Sequence, residues 1–329
     1  MSLDITFLIP CYNCEKTIER TINSIISQDY KKGEIRICCV NDGSKDNTHE
    51  KLLEIKNNIK NKMEIYSQPN KGLAGVRTEL LKHIETNYFM FIDSDDYFFD
   101  NKCISAIVKA SESGTADITM SQNRIVHGNK KSSRYSYKWN KNIYSFLHNN
   151  LALFIWNNLF KTSFYKKNDF HFKQGVNLLE DLNFMTFHLS RPYAKINYCK
   201  KVTYAYVFST NSYSSLNGLN TQKVKDLPEQ LEVFLSQYLK NKKYNWLNKD
   251  EKSVIMNFVS FLKITIYFIC VFLPKFKHKE EQQKQLYHEL IGKIYSILGH
   301  YSISYKTPKK IKRLGFTLLK RILMLFVTV

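Results

Sequence analysis

Three carboxylates follow an apolar segment in the sequence Phe91-Ile-Asp93-Ser-Asp95-Asp96, and their spacing could support metal chemistry. Carboxylates packed this closely repel one another and raise each other's pKa unless a cation lies among them. Their oxygens are ligands that Mg²⁺ and Mn²⁺ prefer, and either ion can bridge to a diphosphate. Taken alone, the segment also fits an acidic turn that caps the next helix, so both interpretations stay open.

Polar, turn-forming residues follow three other apolar segments within the first hundred residues. Residues 41–44 (Asn-Asp-Gly-Ser) combine a flexible glycine with a carboxylate that could accept an N–H group of a planar base. Residues 70–72 (Asn-Lys-Gly) lie shortly before Arg77 and open a predicted helix, whose N-terminal dipole favours anionic phosphates. Residues 10–13 (Pro-Cys-Tyr-Asn) offer an aromatic ring that could pack beside a base.

Alternating strands and helices must position these turns. Short, nearly continuous apolar runs predict strands at 5–9, 35–40, 63–66 and 88–92. Helical periodicity predicts helices at 14–28, 46–59 and 73–84. This alternation is typical of βαβ units in a parallel sheet covered on both faces. Because such sheets bind ligands at the carboxyl ends of their strands, the four polar turns are expected at one edge.

The remainder of the chain has a different pattern. From residue 101 to about 215 the alternation loosens into one more βα-like unit, at 104–110 and 118–120, and a stretch rich in Tyr, Asn and Lys. Helices are then predicted at 227–239, 253–273, 284–298 and 311–327. The pattern therefore predicts an α/β domain at 1–215 and a basic helical region at 216–329.

The polar turns, taken in order, resemble the GT-A nucleotide-sugar glycosyltransferases of family 2. The resemblance rests on Ile9-Pro10-x-Tyr12-Asn13, Asn41-Asp42-Gly43-Ser44-x-Asp46-x-Thr48, Asn70-x-Gly72 with Arg77, and Asp93-Ser94-Asp95-Asp96. It covers roughly residues 1–215 and is most specific over the first hundred. It implies an α/β fold with a Rossmann-like, mostly parallel central sheet flanked by helices, followed by a C-terminal helical region.

The resemblance also implies a role for each matching residue. The nucleotide-sugar pocket would be lined by Pro10, Tyr12, Asn13, Glu15, Asp42, Gly43, Asn70, Gly72, Arg77, Asp93 and Ser94. Within this set Asp42 would pair with uracil, whereas Asn70, Gly72 and Arg77 would lie near the ribose and the diphosphate. Asp93 and Asp95 would bind Mn²⁺ or Mg²⁺, with Asp95 as the more direct metal ligand.

A second acidic segment, Leu178-Leu-Glu180-Asp181-Leu-Asn-Phe184, resembles the family segment in which an Asp is the catalytic base. Asp181 is therefore the expected base and Glu180 the second choice; from the residues alone, an exposed helix start is the alternative. The implied reaction is an inverting displacement, in which an acceptor hydroxyl attacks the sugar opposite the leaving UDP and loses its proton to the base. The expected acceptor is a bacterial surface glycan or a lipid-linked glycan precursor, with polyprenyl phosphate as the alternative.

The net charge of +20 raises a competing hypothesis, a nucleic-acid-binding protein. The first hundred residues hold 13 basic and 16 acidic residues, whereas the rest of the chain holds 36 basic and 13 acidic ones. The strongest basic cluster lies on an apolar, amphipathic tail, and the acidic segment at 93–96 would repel phosphates unless a metal were bound. No nucleic-acid partner is therefore expected, and the basic region is assigned to an anionic acceptor or its membrane.

Two apolar segments in the basic region could contact a membrane or another subunit. Residues 254–273 approach the length of a bilayer core, but Asn257, Ser260 and Lys263 interrupt one face, so a soluble, partly buried helix is expected. Residues 306–329 are predicted to form a basic amphipathic helix, suited to an anionic membrane surface or to packing on protein, including a homo-oligomer. An odd number of cysteines (7) and an N-terminus without signal-peptide features favour the cytoplasm, with peripheral attachment to the inner face of the membrane as an option.

Overall fold

The computed structural model divides the chain into two compact units. The first comprises Met1–Trp139, Phe154–Gly175 and Arg191–Phe208, and the second comprises Asn140–Leu153, Val176–Ser190 and Ser209–Val329. The described residues are 2–112, 114–127, 130–135, 154–175, 180–191, 193–207, 227–240, 251–252, 254–256, 258–259, 280–301 and 303. Residues 176–190 belong to the same unit as the C-terminal helices. The domain boundary at 215 stays a prediction.

Four parallel strands form one half of the sheet in the first unit. The strands are β1 (Ile5–Cys11), β2 (Ile35–Asp42), β3 (Lys62–Gln68) and β4 (Tyr88–Phe91), in the order β3-β2-β1-β4. The helices between them are α1 (Ile18–Ile26), α2 (Thr48–Asn58) and α3 (Gly72–Lys82). Every residue of β1 is buried, because the strand is central in the sheet and packed on both faces. The predicted βαβ alternation is confirmed, with element ends shifted by a few residues.

The other half of the sheet mixes strand directions. It contains β5 (Tyr97–Phe98), β6 (Ile118–His127), β7 (Lys130–Tyr135), β8 (Asn158–Lys161) and β9 (Ile196–Val207). Strand β8 runs antiparallel to β4 and β6, whereas β9 runs parallel to β6 and antiparallel to β5. Two helices complete this half, α4 (Cys103–Ala110) and α5 (Thr162–Asn168). The short strand predicted at 118–120 extends to His127, since it pairs with β9 from Ile118 to Val126.

The strand register brings the polar turns to one edge of the sheet. Cys11 lies opposite Asn41 at the end of β1, and Asp42 lies opposite Gln68 at the end of β2. Strand β4 pairs Phe91 with Leu8, so that the residues after Phe91 run alongside the last residues of β1. The four turns after β1, β2, β3 and β4 therefore share the carboxyl edge of the parallel half, as the sequence predicts.

The second unit is helical where it is described. Its helices are α6 (Glu180–Leu189), α7 (Leu227–Tyr238) and α8 (Glu280–His300). The buried Asn183 amide joins α6 to α7 by donating to the Gln230 carbonyl oxygen at 3.1 Å and to its Oε1 at 3.0 Å. The helices predicted at 227–239 and 284–298 are confirmed. The segment 253–273 lies largely, and 306–329 entirely, outside the described residues; within them, no helix is long and apolar enough to cross a bilayer.

Gly43, in the turn after β2, packs closely against the turn after β3, and a substitution at this position tests that contact. Its φ is +67°, and a Cβ there would lie 2.8 Å from the backbone N of Asn70. Gly43→Ala should therefore lower the free energy of unfolding by about 1–3 kcal/mol, measured by urea denaturation. The matched control is Gly292→Ala in α8, where a Cβ meets nothing within 4 Å. That control should raise stability by about 0.5–1 kcal/mol, and equal effects of the two substitutions would contradict the packing at Gly43.

Candidate functional site

The loop after β1 is clasped to the loop after β2 by reciprocal hydrogen bonds. The Asn13 N–H donates to Ser44 Oγ at 3.0 Å, and the Lys45 N–H donates back to Asn13 Oδ1 at 2.8 Å. Asn13 has a φ of 49°, a left-handed conformation that Asn tolerates better than most residues. Asn13, predicted from the resemblance to line a nucleotide pocket, thus uses its side-chain oxygen to hold the neighbouring loop.

A second pair of reciprocal bonds extends this clasp. The Glu15 N–H donates to Asp46 Oδ2 at 3.2 Å, and the Asn47 N–H donates to Glu15 Oε2 at 2.9 Å. The Cys14 N–H reaches the hydroxyl of Thr48, the first residue of α2, at 2.8 Å. Glu15, like Asn13, is therefore engaged between the loops, and its predicted role in nucleotide binding stays a prediction.

Asp42 anchors the turn that begins α3. Its Oδ1 accepts from Gln68 Nε2 at 2.6 Å and from the Lys71 N–H at 2.9 Å, and its Oδ2 accepts from the Gly72 N–H at 2.9 Å. The residue is only 2% exposed. A carboxylate oxygen has two lone pairs, so Oδ2 retains capacity for one further N–H donor, such as that of a base. The carboxylate thus fixes the β3–α3 turn whether or not it contacts a ligand.

The remaining residues of the predicted nucleotide pocket differ in exposure. Pro10 is buried at the end of β1, whereas the Tyr12 side chain is 47% exposed and offers a ring to a ligand. Asn70 is exposed, and its backbone approaches Gly43 closely enough that glycine is required there. Gly72 has a φ of +72° and begins α3, so its conformation also favours glycine. The structure thus brings these four residues, together with Asp42, to the carboxyl edge of the sheet.

Asp93 pairs with a buried arginine from α3. Arg77 is 2% exposed, and its Nη2 lies 3.6 Å from Asp93 Oδ1, the distance of an ion pair rather than a hydrogen bond. The Arg77 guanidinium also lies over the Phe91 ring at 5.9 Å. Burial raises the pKa of Asp93, and the positive charge of Arg77 opposes that rise. Two residues predicted to lie near the diphosphate and the metal are therefore in contact with each other.

Asp95 and Asp96 are destabilised as anions for related reasons. Burial, followed by the negative charge of Asp93, raises the pKa of Asp95 to about 6. Burial and the neighbouring carboxylates also raise the pKa of Asp96, whose side chain is fully buried. Asp96 differs from the other two because its Oδ1 accepts a hydrogen bond from the Val207 N–H at 2.7 Å. Its carboxylate is therefore committed to β9.

The turn from Asp93 to Asp96 fits a divalent cation bound by few protein ligands. Asp93 Oδ1 is a buried oxygen that accepts no hydrogen bond from the described residues. Burial, followed by the adjacent Asp93 charge, raises the pKa of Asp95, and a bound cation would oppose both effects. Within the part of the chain that the structure describes, no group of three or more His, Cys, Asp or Glu side chains could hold a metal. Asp93 and Asp95 therefore suit a hard cation that takes its other ligands from a bound molecule or water.

Glu180 and Asp181, the predicted catalytic base residues, begin α6 in the second unit. Glu180 is 5% exposed, and Asp181 is partly exposed. Asp181 Oδ1 accepts a hydrogen bond from the Leu182 N–H at 2.8 Å. The helix start considered as the alternative is thus present, but Glu180 is buried rather than exposed, and the role of either residue as catalytic base stays a prediction.

Besides Val207, three residues to which the sequence assigns no role contact the Asp93–Asp96 turn. Arg20 and Thr21 donate to its carbonyl oxygens from α1, and the Tyr204 hydroxyl accepts from the Asp93 N–H at 3.1 Å. These contacts span 73 to 111 residues of chain, so no local spacing could have indicated them.

The anchoring role of Asp42 can be tested with Asp42→Asn. The amide has one acceptor oxygen, so an N–H donor of the α3 turn would face an NH₂ group. The free energy of unfolding should fall by about 1–3 kcal/mol in urea denaturation. The matched control is Asp29→Asn, at a side chain that is 51% exposed. If Asp42→Asn were as stable as that control, the carboxylate would not be holding the turn.

The raised pKa of Asp95 predicts a pH-dependent effect of Asp95→Asn. Because the pKa in the folded protein, about 6, exceeds the unfolded value, the native state binds this proton more tightly. The wild-type protein should therefore lose stability as pH rises from about 4 to about 6. Without divalent cations, Asp95→Asn should be about 1–3 kcal/mol more stable than wild type near pH 8 and about equal near pH 4. A difference in unfolding free energy that does not vary with pH would contradict the pKa shift.

Comparison with known proteins identifies relatives for most of the chain. The family model described as Glycosyl transferase family 2 matches residues 6–172, just over half of the sequence. The processive diacylglycerol beta-glycosyltransferase of Mycoplasma pneumoniae is 27% identical over 238 residues, which cover 67% of this chain and 66% of that protein. The poly(ribitol-phosphate) beta-glucosyltransferase of Bacillus spizizenii is 24% identical over 259 residues, which cover 74% of this chain and 40% of that protein. The match thus spans about two thirds or less of these relatives' lengths.

Solved structures share the fold. Residues 1–349 of S. aureus TarS, in complex with UDP, match with a TM-score of 0.68 at 20% identity, covering 99% of this chain and 89% of that one. The mannosyltransferase PcManGT of Pyrobaculum calidifontis, in complex with GDP-Man and Mn²⁺, matches with a TM-score of 0.55 at 12% identity, covering 96% and 84%. At these identities the likeness concerns the fold alone. The predicted fold class is confirmed: the chain has a GT-A fold followed by helices, and it belongs to glycosyl transferase family 2.

Proposed function

We propose that this protein is a metal-dependent, inverting glycosyltransferase that moves a sugar from a UDP-sugar to a hydroxyl group. The proposed acceptor is a bacterial surface glycan or a lipid-linked glycan precursor. The observation that carries the proposal is the Asp93–Asp95 pair, two incompletely compensated carboxylates at the ligand-binding edge of a family 2 fold. Carboxylates in this position need a cation, and a nucleotide diphosphate needs the same cation.

Recognition of the donor is assigned to the turns after β1, β2 and β3. The exposed Tyr12 ring would pack against the base, and the second lone pair of Asp42 Oδ2 would accept the uracil N–H. Asp42 already accepts from the Lys71 and Gly72 N–H groups, so the first turn of α3 would act on the diphosphate mainly through its positive dipole end. The TarS structures, described as complexes with UDP and with UDP-GlcNAc, support a uridine nucleotide as donor.

Charge compensation is assigned to Asp93, Asp95 and Arg77. Asp93 and Asp95 would hold Mn²⁺ or Mg²⁺, which when bound supplies positive charge against the negative charge growing on the leaving diphosphate. Burial raises the pKa of Asp93, and the positive charge of the buried Arg77 opposes that rise, which favours the carboxylate form that a metal would need. The description of the mannosyltransferase PcManGT as a complex with GDP-Man and Mn²⁺ supports the choice of ion.

Removal of the acceptor proton is assigned to Asp181, with Glu180 as the second candidate. In an inverting displacement a carboxylate takes the proton of the attacking hydroxyl while the bond to the sugar forms. Both named relatives are described as beta-glycosyltransferases or beta-glucosyltransferases. A donor such as UDP-glucose carries an α-linked sugar, so a β-linked product requires inversion, which a single displacement supplies.

The names of the relatives and the charge of the chain both bear on the proposed acceptor. The relatives are named for diacylglycerol and poly(ribitol-phosphate), a lipid and an anionic polymer. The excess of basic residues after residue 100, 36 against 13 acidic ones, suits an anionic acceptor or the anionic surface that carries it. Membrane contact or oligomerisation through 306–329 remains a prediction for a segment outside the described residues.

Release of UDP from a panel of UDP-sugars in the presence of Mn²⁺ tests the proposal, because donor hydrolysis needs no acceptor. Asp95→Asn should abolish Mn²⁺-stimulated UDP release and sugar transfer, since it removes a metal ligand. Asp181→Asn should abolish transfer to an acceptor but leave UDP binding intact, since the base does not contact the nucleotide. Asp29→Asn, a surface substitution, should behave as wild type.

Each outcome bears on one assignment. Wild-type transfer by Asp95→Asn would exclude Asp95 as a metal ligand, and wild-type transfer by Asp181→Asn would pass the role of base to Glu180. Absence of UDP release from every UDP-sugar, by a protein that also fails to bind UDP, would overturn the proposed donor.

A further inference from the structure

The backbone of the Asp93–Asp96 turn is fixed at each of its four carbonyl groups. The Asp93 carbonyl accepts from the Asp96 N–H at 3.1 Å, which closes a β-turn with Ser94 and Asp95 at its centre. The other three carbonyls accept from side chains of a single helix, α1. All four carbonyl groups of the turn are therefore bonded to groups of the protein.

Thr21 provides two of these contacts. Its Oγ1 lies 2.7 Å from the Asp96 carbonyl oxygen and 3.0 Å from that of Ser94, with the Thr17 carbonyl of its own helix at 3.5 Å. A hydroxyl has one proton, so Thr21 donates mainly to the Asp96 carbonyl oxygen, the nearer acceptor, and shares that proton with the Ser94 carbonyl oxygen. Thr21 is fully buried, and without its hydroxyl these carbonyls would lose a donor in a place that water does not reach.

Arg20 holds the carbonyl between those two. Its Nη2 lies 2.5 Å from the Asp95 carbonyl oxygen, and its guanidinium lies over the Tyr97 ring at 4.9 Å. The guanidinium thus binds the backbone of Asp95 and not its carboxylate. Arg20 also lowers the pKa of Asp95, although burial and Asp93 outweigh this effect.

The far side of the turn is held by β9. The Tyr204 hydroxyl accepts from the Asp93 N–H at 3.1 Å, and Asp96 Oδ1 accepts from the Val207 N–H at 2.7 Å. Between α1 and β9 the backbone of all four residues is tied down, whereas the carboxylates of Asp93 and Asp95 are not needed for that purpose.

We propose that Thr21 is a positioning residue for the metal site, holding the Ser94–Asp96 backbone from which the Asp95 carboxylate extends. The inference rests on the proposed function, because it assigns Mn²⁺ or Mg²⁺ to Asp93 and Asp95. A turn with free carbonyls could rotate its central peptide, which would displace Asp95 relative to Asp93. Because hydrogen bonds fix the backbone of the turn, the Asp93 and Asp95 carboxylates keep their relative positions before a cation binds. Cation binding then does not lose free energy to ordering the turn.

The test compares three substitutions at buried threonines. Thr21→Val keeps the shape and removes the hydroxyl, whereas Thr21→Ser keeps the hydroxyl. Thr119→Val is the matched control, because the Thr119 hydroxyl is buried without a hydrogen-bond partner among the described residues. The first readout is the Kd for Mn²⁺ at saturating UDP, measured from the electron paramagnetic resonance signal of free Mn²⁺. The second readout is the Kd for UDP in EDTA.

Thr21→Val should raise the Kd for Mn²⁺ by about 10-fold or more and leave the metal-free Kd for UDP unchanged. Thr21→Ser and Thr119→Val should match wild type in both. If Thr21→Val does not fold, Thr21→Cys, which retains a weaker donor, should show a smaller loss of Mn²⁺ affinity in the same direction.

Two results would overturn the inference while leaving the proposed function intact. One is wild-type Mn²⁺ affinity in folded Thr21→Val, or in Thr21→Cys if Thr21→Val does not fold, and the other is equal weakening by Thr119→Val. A wild-type protein that binds UDP without any effect of Mn²⁺ would instead contradict the proposed metal dependence, and the inference would fall with it.

Discussion

The site depends on one electrostatic constraint: three carboxylates lie within four residues of a turn that follows a buried strand. The three carboxylates differ in the groups that surround them. Asp96 is buried and accepts a hydrogen bond from the backbone of β9, Asp93 is paired with the buried Arg77, and Asp95 is left with a pKa of about 6. Repulsion and desolvation therefore accumulate on the Asp93–Asp95 pair. A cation that arrives with a diphosphate would relieve both, so the same arrangement destabilises the empty protein and favours a metal-dependent ligand.

Much of the polar chemistry around this turn holds the loops and not a ligand. Asn13 and Glu15 bond the loop after β2, and Asp42 ties down the first N–H groups of α3. Asp42 is buried and its carboxylate must be paired, and together with the bonds of Asn13 and Glu15 between the loops this gives the carboxyl edge of the sheet a fixed shape. A residue can serve both purposes only where it keeps an unused lone pair or an exposed face, as Asp42 and Tyr12 do. Substitutions in these loops will therefore mix effects on stability with effects on binding.

The sequence predicts the parallel half of the fold well because its signals are local. Apolar runs, helical periodicity and polar turns indicate the four strands, and their carboxyl ends are brought together by the register. The mixed half was not predicted in detail: β6 is ten residues long because it pairs with β9, a partner far away in the chain. For the same reason the contacts of Thr21 and Tyr204 with the Asp93–Asp96 turn could not be predicted, since they depend on how α1 and β9 pack. The family resemblance assigns roles to residues but does not indicate their hydrogen bonds. For that reason the bonds by which Asn13 and Glu15 join the two loops could not be predicted.

In the proposed function the Asp93–Asp95 carboxylates and a nucleotide diphosphate share one cation. Thermal unfolding of the wild-type protein with Mn²⁺ alone, UDP alone and both together measures that coupling, because a ligand that binds the native state stabilises it. Mn²⁺ and UDP together should raise the Tm by clearly more than the sum of their separate effects. Additive shifts, or a shift with UDP that Mn²⁺ does not change, would contradict it.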